Sequence, residues 1–289
     1  MMQTEVKSDI PQSILGRMLP CSRDHERGIL ISFKSYFDGS HQGPSWKNCD
    51  LIALAGFAAG DAVMASFERD YDIVLHDDRR RPSADYLHMK ELRSNSGRSP
   101  FSDAKGWNNE RRTRLVSDVV DLLGSQDKAR SHLFLCSVEP RSLDRLRVKG
   151  ANLPSPLRIC THYCPHWVMA WHAREYPGIM ADSHYYFDFD EPFKADFEKI
   201  RKMQMSNRFE TSGNRKTWEL VKSITNAYMK ETPALQVSDM LAWGTQRQRL
   251  NHQGEFLMGI AVQIKKILPS SWLHVNETNA VEWCANVPV

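Results

Sequence analysis

The ten residues Leu51 to Gly60 carry no charged and no polar side chain. The run is far too short to cross a bilayer, which takes about 20 apolar residues. It fits a fully buried strand instead. Gly28 to Phe37 reads as an earlier strand ending in the turn signal Asp38-Gly39-Ser40. Leu133 to Val138, His184 to Phe187 and part of Trp218 to Met229 read as further strands. Between them, helical patterns mark Asp61 to Asp77, Asn108 or Asn109 to Leu123, Leu157 to Tyr176, Lys194 to Met205, Pro233 to Leu250 and Glu255 to Leu268. Pro165 is expected near the start of its helix or at a kink. Strands alternating with helices predict an α/β protein. An irregular leader is expected over residues 1–27, one domain over 28–268 and an irregular tail over 269–289.

The chain has 289 residues, 41% hydrophobic and 25% charged, enough to bury a sizeable core. The N-terminus lacks the apolar segment of a secretion signal, and six cysteines in a chain this long do not read as a disulfide framework. A soluble cytoplasmic protein is the expectation. A net charge of +3 permits a nucleic acid partner without requiring one. Arg79-Arg80-Arg81, Arg111-Arg112 with Arg114, and Lys265-Lys266 are local basic concentrations, which are solvated faces in the plainer account.

Acids at the ends of apolar segments carry the chemistry. Asp38 closes the first strand pattern, Glu91 follows Leu87-His88-Met89-Lys90, and Asp188 follows Tyr185-Tyr186-Phe187. Asp239 is the one acid on the apolar segment Pro233 to Trp243. Carboxylates in apolar surroundings are costly unless a cation pairs with them. Brought together, four of them call for a divalent metal, and oxygen-only ligation suits Mg²⁺ or Mn²⁺ rather than Zn²⁺. Such a site serves phosphodiester hydrolysis: one ion activates the attacking water and a second, about 3.5–4 Å away, stabilises the leaving oxygen.

The wording around these acids, Tyr36-Phe37-Asp38-Gly39-Ser40, Leu87-His88-Met89-Lys90-Glu91-Leu92, Tyr186-Phe187-Asp188-Phe189-Asp190-Glu191-Pro192-Phe193 and Leu235-Gln236-Val237-Ser238-Asp239-Met240-Leu241, resembles the bacterial domain-of-unknown-function family numbered 3800. That family is similar to the ribonuclease H-like superfamily, and the resemblance spans roughly Ile29 to Arg249. It implies a ribonuclease H-like mixed sheet flanked by helices, with added helices. It also implies a metal-dependent nuclease whose ligands fall on Asp38, Glu91, Asp188 and Asp239, with nucleic acid as partner. Gly39 stands where the family usually has a second acid, which removes one ligand or base. Glu139, closing the strand Leu133 to Val138, is a rival to Asp188 for the third acid.

His88, one helical turn from Glu91, is a candidate to orient water or protonate the leaving oxygen, beside a structural hydrogen-bond role. Ser40, Glu191 and Gln236 are candidates for contacting substrate or supporting the ligands. For Gln236 the plain alternative is a buried amide; for Glu191 it is helix capping ahead of Lys194. Cys160, His162, Cys164 and His166 invite a zinc reading. On a helix they fall on two faces, which favours buried thiols and ring hydrogen bonds. Trp107 and Trp171 are read as core rather than base-stacking residues. The second functional expectation is a non-catalytic module of the same fold, or a partner-dependent subunit of a defence or mobile-element assembly.

Overall fold

The computed structural model describes residues 31–287 apart from 44, 47, 80, 95, 127–129, 177–180, 190, 207–217, 250–269 and 286. The expected leader, the expected helix Glu255 to Leu268 and the Lys265-Lys266 pair lie outside the described residues. Strands β1 (Ile31–Gln42), β2 (Leu51–Gly60), β3 (Ser131–Val138), β4 (Ala181–Asp188), β5 (Val221–Ala227) and β6 (Ser270–Val275) form one sheet in the order β5-β4-β1-β2-β3-β6. β2 pairs antiparallel with β1 and β3; the other pairings are parallel. This is the expected α/β architecture, a six-stranded mixed sheet flanked by helices.

The strand alternation feeds two cores. From β2, Ala53, Ala55, Phe57 and Ala59 face one side, and Ile52, Leu54 and Ala58 the other. The first side is covered by α1 (Asp61–His76), the short α2 (Met89–Leu92), α3 (Asn109–Ser125) and α7 (Pro233–Arg249). The second is covered by α4 (Pro140–Val148), α5 (Pro156–Glu175), α6 (Phe193–Met205) and α8 (Ala280–Cys284). Small side chains on β2 let α7 lie close against the sheet, and Ala234 to Gln246 of that helix are all buried. Gly56 serves the other face: a Cβ there would meet the Phe37 ring at 2.5 Å, so the ring lies over the bare strand.

Several expectations shift. β1 does not end at Asp38 but continues to Gln42, which pairs with Leu51. Of the two expectations for Pro165, the helix start is ruled out, since it sits in mid-helix α5. The residues read as an irregular tail contain β6 and α8. Only Leu273 and Val275 of β6 are buried, so this edge strand has little apolar pattern to reveal it. Asn108 caps α3, accepting from Arg111 N at 2.9 Å, and Trp107 and Trp171 are both buried in the cores. Among the described residues no helix is long and apolar enough to cross a membrane.

Candidate active site

Asp38 and Asp188 are brought together by strand pairing. Parallel β1 and β4 hold Phe37 against Phe187 as their last matched pair, and each acid is the next residue. Tyr36 and Tyr186, two positions earlier, stack at 4.7 Å on the same face. The period of two therefore directs both carboxylates to the α7 side. There α7 presents Asp239, while Ser238 Oγ, within 2.9 Å of Tyr36 O, fastens the helix to β1.

The opposite wall is the segment before α2. Its alternate backbone N–H groups are caught by side chains one turn apart on α7: Leu87 N donates to Gln236 Oε1 (2.7 Å) and Met89 N to Asp239 Oδ2 (2.7 Å). Gln236 also accepts from the Tyr71 hydroxyl and donates to Met229 O. It is a buried structural clamp, because every polar atom of its amide is engaged within the chain. It is not among the residues that line the cleft.

These elements enclose an open cleft of about 870 Å³, lined by Asp38, Asp188, Glu191, Asp239, His88 and Ser40 among others. Asp38 is 1% exposed, and its Oδ1 has no hydrogen-bond partner. Burial raises its pKa well above the carboxylate range. The charges of Glu191, Asp239 and Asp188 push it further up, while the Gly39 N–H pulls the other way. Asp239 is raised to about 6 by burial, against the pull of His88 and the Met89 N–H.

Three of the four expected acids share this cleft, together with Glu191. Glu91 does not line it. Its carboxylate accepts from the Tyr86 hydroxyl and stands 4.0 Å from Nδ1 of His88, which does line the cleft. Glu139, the rival third acid, is held outside by His274 Nε2 (3.1 Å) and Ser142 Oγ (2.6 Å). Ser40 Oγ donates to Gln246 Oε1 at 3.2 Å on the cleft wall. The capping account of Glu191 does not hold: the residue before α6 is Pro192, and no side chain caps that helix.

The described arginines of the two basic clusters have partners within the chain. Arg81 and Arg112 are buried on backbone carbonyls, Arg79 pairs with Asp77, and Arg114 pairs with Asp118. The cleft draws its cations from Lys90, Arg93 and Arg247. The last two lie over the Trp243 ring at 5.2 and 5.1 Å. Sequence reasoning missed Trp243 and Gln246, although they stand on the Asp239 face of a helix by simple periodicity. The Cys160 and Cys164 thiols donate to Cys136 O and Leu54 O, and His166 Nδ1 meets His162 O, which leaves these groups to core packing.

Among the described residues, no three His, Cys, Asp or Glu side chains are grouped so that they could hold a metal ion. Asp38, Asp188, Glu191 and Asp239 line one cleft, and their donors are all oxygen, the chemistry of hard cations rather than of zinc. No family model, curated protein or solved structure matches the chain. Fold and cleft define an α/β protein with a buried carboxylate centre.

Proposed function

We propose that this chain is a divalent-metal-dependent nuclease that hydrolyses phosphodiester bonds in the Asp38 cleft. One observation carries the reading: a fully buried carboxylate with an unpartnered oxygen, surrounded by three further carboxylates. Such repulsion is costly unless a cation relieves it. Asp38, Asp188, Asp239 and Glu191 would hold Mg²⁺ or Mn²⁺; Glu191 takes the place first given to Glu91. When bound, the ion supplies Lewis acidity to the phosphoryl group and acidity to water.

The chain's own groups do the rest. Met89 N–H fixes the rotamer of Asp239, and Gln236 holds the segment that presents His88. His88, facing the same cleft, is placed to carry the proton to the leaving oxygen. Lys90, Arg93 and Arg247 put positive charge where a phosphate backbone would lie. A cytoplasmic setting belongs to this reading, since Cys49, Cys136, Cys160, Cys164 and Cys284 are free thiols.

The test is cleavage of labelled RNA, DNA and hybrid oligonucleotides with Mg²⁺, Mn²⁺ or chelator, paired with Mn²⁺ calorimetry. Asp38→Asn and Asp239→Asn are expected to lose cleavage while keeping the circular dichroism of the parent. Undiminished activity in both variants refutes the assignment. Absence of Mn²⁺ uptake favours the non-catalytic module.

A further inference from the structure

Among the described residues, Phe189 and Tyr228 are two of the few large apolar side chains left in solvent, 51% and 59% exposed. They are not scattered. Their rings stack at 5.0 Å with an interplanar angle of 8°. They sit just past the last matched pair of β4 and β5, Asp188 with Ala227. Each adjoins a cleft-lining residue, Asp188 in one case and Met229 in the other. Lys230, two residues past Tyr228, holds its ammonium 4.6 Å over the Tyr86 ring.

Single exposed apolar residues need no explanation, whereas a continuous exposed patch marks a binding surface. A flat ring surface beside cationic groups is the chemistry that proteins use for unpaired bases: aromatic faces take the bases and basic groups follow the backbone. Bases within a duplex are already stacked on each other and offer no free face. Resting on the nuclease reading for the position of the scissile bond, we infer that Phe189 and Tyr228 form a stacking platform for an unpaired base. The chain therefore takes single-stranded nucleic acid in preference to duplex. A base seated there places its adjoining phosphodiester at the Asp188 edge of the cleft.

The platform is tested by fluorescence anisotropy with labelled single-stranded RNA and DNA and a blunt duplex. Chelator is present throughout, so binding is read without cleavage. Phe189→Ala and Tyr228→Ala are each expected to weaken single-strand binding at least tenfold and duplex binding hardly at all. Tyr228→Phe, which keeps the ring, should retain affinity. Both positions are exposed, so the variants are expected to fold, which circular dichroism checks. Equal affinity for single strand and duplex overturns the inference. So does unchanged affinity in both alanine variants, as a protein-docking patch would give, or the absence of single-strand binding. Ring-dependent binding without any cleavage keeps the platform and removes the nuclease. Metal-dependent cleavage with ring-independent binding does the reverse.

Discussion

Gly39 leaves the space that Glu191 and Phe193 fill: a Cβ at position 39 would lie 2.7 Å from Glu191 Oε2, and closer still, 2.2 Å, to the Phe193 ring. The space in which an acid after Asp38 would begin is filled from the β4–α6 connection. That connection delivers a carboxylate to the same cleft. Position 39 has no side chain to offer the cleft, and Glu191 reaches it from another element.

A side chain at position 39 has nowhere to go without moving Phe193, Glu191 and Trp46. Gly39→Ala is expected to cost about 1–3 kcal/mol, as overpacking does, and Gly39→Glu more. Urea midpoints measure both. Glu191→Gln leaves the space filled with an isosteric amide. It should weaken Mn²⁺ binding about tenfold or more while the urea midpoint holds or rises. Unchanged Mn²⁺ affinity would take Glu191 out of the ligand set.

Gln236 ties three elements together, since its amide bonds Tyr71, Leu87 N and Met229 O at once. Gln236→Leu would bury a backbone donor and acceptors without partners, at about 1–3 kcal/mol for each group left unmade. The expected outcome is a stability loss of several kcal/mol. Hydrogen exchange should be faster at Leu87 and Met89 than in the parent. Exchange that is unchanged at those two amides would mean that the segment is held by packing alone.

How far the sequence reaches depends on what each residue needs from its surroundings. Asp38, Asp188 and Asp239 are legible because a charge on an apolar segment is anomalous in one dimension as well as three. The choice between Glu91 and Glu191 is not. Both stand near apolar residues, and only the tertiary placement, Glu91 against Tyr86 and Glu191 on the cleft wall, separates them. Arg81 and Arg112 look like surface charge, because their carbonyl partners belong to neighbouring loops that a charge count does not see. The strand β2 is the clearest case in the other direction, since its uninterrupted apolar run allows no exposed face.

The Asp38–Asp239 pair also sets a pH signature. Asp239 has a folded pKa of about 6 through burial, well above the usual carboxylate value of about 3.9. Its contribution to stability is therefore complete below pH ~4 and lost as the pH rises through about 6, where the fold must carry a buried charge. Buried His132 and His172, lowered to about 3, and His166, lowered to about 4, act in the opposite sense. Their contribution is present above pH ~6.5 and lost as the pH falls towards those values. The whole-protein curve mixes the two, so the difference between Asp239→Asn and the parent isolates the acid. In chelator the two should be equally stable near pH 4, and the variant should gain on the parent through pH 4–6. Above pH ~7 the gap should level off at a few kcal/mol. Saturating Mn²⁺ should reverse the order, stabilising the parent and leaving the variant unmoved. A stability gap independent of pH would mean that Asp239 is not the strained carboxylate of the cleft.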